Sequence, residues 1–144
     1  MKAITVARYF IYLSYQDKDQ MSITPLKLQK LLYYAQGYSY NWDGEKLFTD
    51  EIEAYNSGPV VRKVYLALNK YGQSEIPESE GEDIVTTKER KETIQGVWMG
   101  YKRMSGIELA ARSKTEKPCM NCLTNNERII KKEVIQEYFK KAYS

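Results

Sequence analysis

The stretch TPLKLQKLLYYAQGYSY, Thr24 to Tyr40, carries a helix start and a continuous apolar face within a few turns. Thr24 is a good N-cap, and Pro25 takes the first helical position, where its missing N–H is no loss. Leu28, Leu31, Leu32 and Ala35 then recur at helical spacing and make one buried face. Leu26, Lys30, Tyr33, Gly37 and Tyr40 fall on the flank. The helix ends at NWDG, where Asp43-Gly44 supplies turn chemistry. Its tyrosines, two lysines and two glutamines leave a choice between burial, nucleic-acid binding and protein binding.

Working outward, the spacing of Ala3, Val6, Ala7, Phe10, Leu13 and Ser14 predicts a first helix over about 3–16. Ile52 and Ala54 alternate with Glu51, Glu53 and Tyr55, as in a short strand exposed on one side. Gly58-Pro59 is read as the start of a third helix carrying Val61, Val64, Tyr65 and Leu68, stopped at Gly72. Residues 73–92 are acidic and read as an exposed loop, with DIVTT as a short strand. Ile94, Val97, Trp98 and Tyr101 mark a fourth helix. Ser105 to Glu108, SGIE, matches a capping box opening a short helix through Ala111. A last helix from about Lys132 buries Val134, Ile135, Tyr138, Phe139 and Ala142. The expectation is a single, mainly α domain over 1–144, with five to six helices and a small β element.

The 144 residues are 42% apolar and 28% charged, ordinary for a globular chain. There are 13 tyrosines against three phenylalanines and two tryptophans, which favours half-buried positions and binding surfaces. The net charge of +3 is well short of a nucleic-acid binder's usual positive balance. No apolar run reaches the length of a membrane span, so no membrane association is expected. The N-terminal stretch is broken by Arg8 and tyrosines and has no cleavage site. It reads as a helix of a cytoplasmic protein.

The chain has no histidine. A triad hydrolase of the ordinary type is therefore excluded, and the commonest metal ligand is missing. Cys119 and Cys122, in PCMNC, have the spacing of a zinc half-site or a redox pair. With no third cysteine, only a symmetric homodimer would complete a four-cysteine site; inert thiols and a redox pair stay open beside it. Glu51 and Glu53 share a strand face, but nothing around them supplies the pocket acid–base work needs. No phosphate-binding glycine loop is present, and no cofactor is expected. Lys27, Lys30, Arg62, Lys63 and Lys70 project from the second and third helices. The long connection between those helices does not suit a helix-turn-helix.

The segments ITPLKLQKLLYYAQGYSY and LFTDEIEAYNSGPVVRKVYLALNKYG together resemble the Panacea domain, the SocA-like or GepA-like family of phage-associated proteins. Thr24, Leu26 to Gln36, Glu53-Ala54, Gly58 to Val61 and Lys70 to Gly72 carry the likeness. A looser match continues through Leu109, Ser113, Glu116 and Pro118. There Lys114 stands where the family has histidine, and Cys119 where it has tryptophan. The resemblance implies a small helical antitoxin, without catalysis, that binds and neutralises a cognate protein toxin usually encoded beside it. In one branch it implies an adaptor handing the toxin to a host protease. A DNA-binding regulator of its own operon, with operator DNA as partner, is the alternative from another class.

Interface energy concentrates in a few aromatic and arginine anchors. The candidate partner-binding set is therefore Tyr33, Tyr34, Tyr40, Trp42 and Tyr55, with Lys27, Lys30 and Arg62. Packing helix against helix is the competing role for those tyrosines. Gln29 is read as structural, bonding backbone near Gly58-Pro59, whereas Lys27 and Lys30 are assigned to the surface.

Overall fold

The computed structural model describes residues 1–144. Its elements run α1 (Ala3–Gln16), α2 (Pro25–Asp43), β1 (Ile52–Tyr55), β2 (Gly58–Val60) and α3 (Arg62–Leu68). They continue with α4 (Lys88–Tyr101), α5 (Gly106–Thr115), α6 (Lys117–Thr124), β3 (Ile129–Ile130) and α7 (Lys132–Ala142), and short 3₁₀ turns lie at Asn69–Tyr71 and Glu78–Glu80. The architecture is mainly α, with a three-stranded antiparallel sheet ordered β2-β1-β3. Seven α-helices form rather than five to six. No helix is long and apolar enough to cross a membrane.

Helix α2 starts as its sequence predicts. The Thr24 side chain accepts from the Lys27 amide, Pro25 opens the helix, and Gly44 closes it in the left-handed region at φ 73°. Burial extends beyond the leucine face, however. Residues Lys27 to Gly37 and Ser39 are all buried, because α2 packs against α1, α3, α4, α5, α7 and β2. A helix surrounded on all sides has no solvated flank, so Lys30, Tyr33 and Gly37 lie inside.

Two glutamines a heptad apart fasten the returning chain to α2. Gln36 accepts from the amides of Leu47 (2.8 Å) and Phe48 (3.1 Å) and donates to the Phe48 carbonyl (3.0 Å). Gln29 accepts from the Val61 amide (2.8 Å) and donates to its carbonyl (3.2 Å). Each carboxamide thus pairs with buried backbone as a neighbouring strand would.

That fastening explains why Gly58-Pro59 does not start a helix. Gly58, at φ 103°, closes the turn after Tyr55, and Gly58 to Val60 pairs with Tyr55 to Glu53 as an antiparallel hairpin. Pro59 lacks a ladder donor but sits on the sheet's edge strand, where that is tolerated. Helix α3 begins only at Arg62. Its last turn tightens to 3₁₀ before Gly72, which keeps the predicted stop.

Other boundaries move too. Helix α5 has its capping box at Ser105 and Glu108 but continues to Thr115 instead of stopping at Ala111. Helix α6 and strand β3 fill a region for which no element is expected from the sequence. DIVTT forms no strand: Ile84 is buried, Val85 is fully exposed, and Thr87 caps α4. The acidic loop is strapped to α1, through Arg8–Glu80 at 2.7 Å and the Glu82 amide to the Arg8 carbonyl. In α7, Ile135 and Phe139 are buried, Tyr138 is half-buried, and Val134 and Ala142 are exposed.

Gly37 is the position where α7 meets α2. A Cβ there would stand 2.3 Å from the Phe139 ring. Gly37→Ala is expected to lower stability by about 1–3 kcal/mol through overpacking. Phe139→Leu in the same chain should recover part of that loss, read as coupling in a double-mutant cycle by urea unfolding.

The α1–α2 connection is held by an ion-pair cluster. Lys102 lies 2.9 Å from Asp17 and 2.8 Å from Asp19, and the Trp98 indole donates to Asp17. Burial pushes the Asp17 carboxyl up, but bonds from Lys102, the Asp19 amide and Trp98 outweigh it and hold the carboxyl low. A depressed carboxyl stabilises the fold above its unfolded pKa, and that stability is lost as pH falls through the lower native value. Asp17→Ala should therefore melt below the unsubstituted chain at pH 7. The gap should close as pH falls from about 5 towards about 2.

Candidate interaction surface

The N-terminal end of α2, the β1–β2 hairpin and α3 enclose an open groove of about 560 Å³. That volume is in the range of sites that hold a few side chains of a ligand. Pro25, Leu26, Val60, Val64 and Leu68 contribute apolar wall, and Tyr65 and Leu66 stand at 51% and 65% exposure on α3. By spacing alone Tyr65 groups with Val61, Val64 and Leu68. On a seven-residue helix, Val64 and Leu68 one turn apart already make the core contact, which turns Tyr65 and Leu66 outward.

Of the expected partner-binding residues, Tyr55, Arg62 and the buried Lys30 line this groove. The Tyr55 hydroxyl donates to Glu53 (2.6 Å), the Arg62 guanidinium reaches that hydroxyl (3.4 Å) and lies 3.6 Å from Glu53. Arg128 covers the Tyr55 ring face at 4.2 Å. Glu53 is thus engaged in holding the rim, and Glu51 lies outside the strand, beside Lys132. The two carboxylates do not form an acid–base pair.

Trp42 and Tyr40 lie at the other end of α2. Leu26 and Trp42 are sixteen residues apart, so about 24 Å of helix separates them. Trp42, 51% exposed, packs against the Tyr38 ring at 4.7 Å and covers Gly96 of α4. Tyr40 is half-buried. The residues expected to act together therefore divide between two ends of one helix.

Tyr33 and Tyr34 are fully buried, which corrects their placement on a surface. Tyr34 stacks on Tyr101 at 4.5 Å, and Tyr33 meets the Phe139 ring edge-on at 5.4 Å. Arg112 lies 5.5–5.8 Å from the rings of Tyr101, Tyr143 and Tyr34, and the Tyr143 hydroxyl donates to buried Glu116. Burial, then the Glu116 charge, push both α2 phenols far above their ordinary value, so they stay neutral. Burial likewise raises the Glu116 carboxyl. These groups form the polar interior that docks α5, α6 and α7 on α2.

Lys27 and Lys30 are buried as well, against the surface role expected for them. The Lys27 ammonium donates to the Lys102 carbonyl and lies 5.5 Å from the Trp98 ring centroid. Lys30 donates to the Pro59 carbonyl at 2.9 Å, the kind of bond assigned to Gln29. Both ammoniums leave the basic face expected on α2, while Arg62, Lys63 and Lys70 stay exposed. A β-hairpin, not a tight turn, joins α2 to α3.

Cys119 and Cys122 sit on the buried side of α6, and both are unbridged. Burial pushes the Cys119 thiol up to about 11 and raises Cys122 too, the opposite of activation. No group of three or more histidine, cysteine, aspartate or glutamate side chains comes together to hold a metal.

A family model described as antitoxin SocA-like, Panacea domain, matches residues 28–119. The match spans α2 from Leu28, the hairpin, α3, α4, α5 and the start of α6. No curated protein and no solved structure matches the chain.

Proposed function

The chain belongs to the antitoxin SocA-like, Panacea domain family, and on that premise we propose that it binds and neutralises a protein toxin encoded beside it. It does so in the cytoplasm, as one domain, by occupying the toxin rather than by chemistry on it. The observation that carries this reading is the open apolar groove, walled by exposed Tyr65 and Leu66 and rimmed by Tyr55 and Arg62. Exposed aromatics next to an arginine are the residue types in which interface energy concentrates. Trp42 at the far end of α2 serves as a second, smaller contact. Lys30, Tyr33 and Tyr34 act from the interior, by setting the position of the hairpin and of α7.

Co-expression with the neighbouring gene tests this. The neighbour alone should arrest growth, the pair should grow, and the two proteins should co-purify through gel filtration. A neighbour that is harmless alone and does not co-purify contradicts the proposal.

A further inference from the structure

The groove has a charge character that its apolar walls do not suggest. Among its lining residues only Lys30 and Arg62 are charged, both are cations, and no aspartate or glutamate takes part. Arg62 stands at the rim with its side chain 64% exposed, its guanidinium oriented by Tyr55 and Glu53. Glu53 offsets part of that charge while fixing where it points.

Lys30, like Lys27, is a buried cation held by a backbone carbonyl, in contrast to Lys102. The Lys102 ammonium is met by Asp17 and Asp19. Lys30, fully buried beside β2, has the Pro59 carbonyl as its hydrogen-bond partner and no carboxylate within ion-pairing distance. Burial lowers its pKa to about 8, which still leaves most of the charge in place at pH 7. Buried charges are normally paired, because leaving water is costly. An uncompensated cation next to a low-dielectric cleft makes the potential there positive. The hairpin closes over Lys30 tightly, since a Cβ on Gly58 would stand 3.3 Å from its Cε.

We propose that the groove receives a segment of the partner protein that carries a large apolar side chain next to a carboxylate. The apolar group seats between Leu26, Val60 and Leu66, and the carboxylate faces the Arg62 rim above Lys30. The partner's identity as the toxin rests on the antitoxin reading; the chemistry of the segment does not. Apolar contact supplies the affinity here, and the two cations supply the selection against basic segments.

The test is a selection of displayed random dodecapeptides on the immobilised full chain, followed by binding of the most enriched peptide to variants. The expected peptides combine Leu, Phe, Tyr or Trp with neighbouring Asp or Glu. Binding should weaken by roughly tenfold or more in Arg62→Glu. It should weaken also in Lys30→Met, which removes the charge and keeps the length. Arg62 is exposed, so its variant keeps the question answerable if Lys30→Met folds poorly. Enrichment without an acidic bias would overturn the proposal, as would equal binding by Arg62→Glu. So would groove-dependent binding of a single-stranded oligonucleotide in preference to any peptide, or self-association lost in Leu66→Asp. The antitoxin reading fails separately, when the unsubstituted chain does not neutralise its neighbour, whatever the peptides show.

Discussion

Gln36→Leu is expected to remove much of the fold's stability although it keeps side-chain size. The substitution leaves the Leu47 and Phe48 amides and the Phe48 carbonyl buried without their partner. Each orphaned group costs about 1–3 kcal/mol, so the three together cost roughly 3–9 kcal/mol. Against a typical domain stability of about 5–15 kcal/mol, that is a large share. Gln29→Leu should lose less, since one residue, Val61, is orphaned there. Urea unfolding followed by circular dichroism reads both as a lower midpoint at unchanged slope. A Gln36→Leu midpoint equal to that of the unsubstituted chain would mean that the clamp does not hold the 44–51 return against α2.

The second large effect is on neutralisation. Tyr65→Ala combined with Leu66→Asp removes two exposed groove-wall side chains and places a charge on an apolar surface. Anchors of this type are worth about 2 kcal/mol or more each, so affinity for the toxin should fall ~1,000-fold. Stability should change by about 0.5 kcal/mol or less, because both side chains face solvent. Ile107→Asp is the control, 77% exposed and outside the groove. Growth rescue should be lost in the groove variant and kept in the control. The reverse pattern would move the contact to another face.

Much of this was legible in the residues. The Thr24 cap, the Pro25 start, the leucine face of α2, the Ser105–Glu108 box and the Gly44 and Gly72 stops depend on local chemistry, and each stands where the sequence places it. The misreadings share one cause. Burial of Lys30 depends on the β1–β2 hairpin, and that of Tyr33 and Tyr34 on α4 and α7, closing over a helix whose own pattern shows one apolar face. Gly58-Pro59 reads locally as a helix start and becomes a strand because Lys30 and β1 take its backbone groups and Gln29 those of Val61 just beyond it. Of the candidate site, Tyr55 and Arg62 could be picked out by type. The exposure of Tyr65 and Leu66 could not, since it follows from how short α3 is. The one available signal was that Val64 and Leu68 suffice to anchor so short a helix.

The most direct test is a titration of the neighbouring toxin's activity with the purified chain. If the chain works by occupying the toxin, activity falls linearly to a sharp end point at a fixed molar ratio, and longer incubation leaves that point unchanged. Inactivation by a small fraction of an equivalent, deepening with time, would mean that the chain turns over and acts on the toxin as an enzyme.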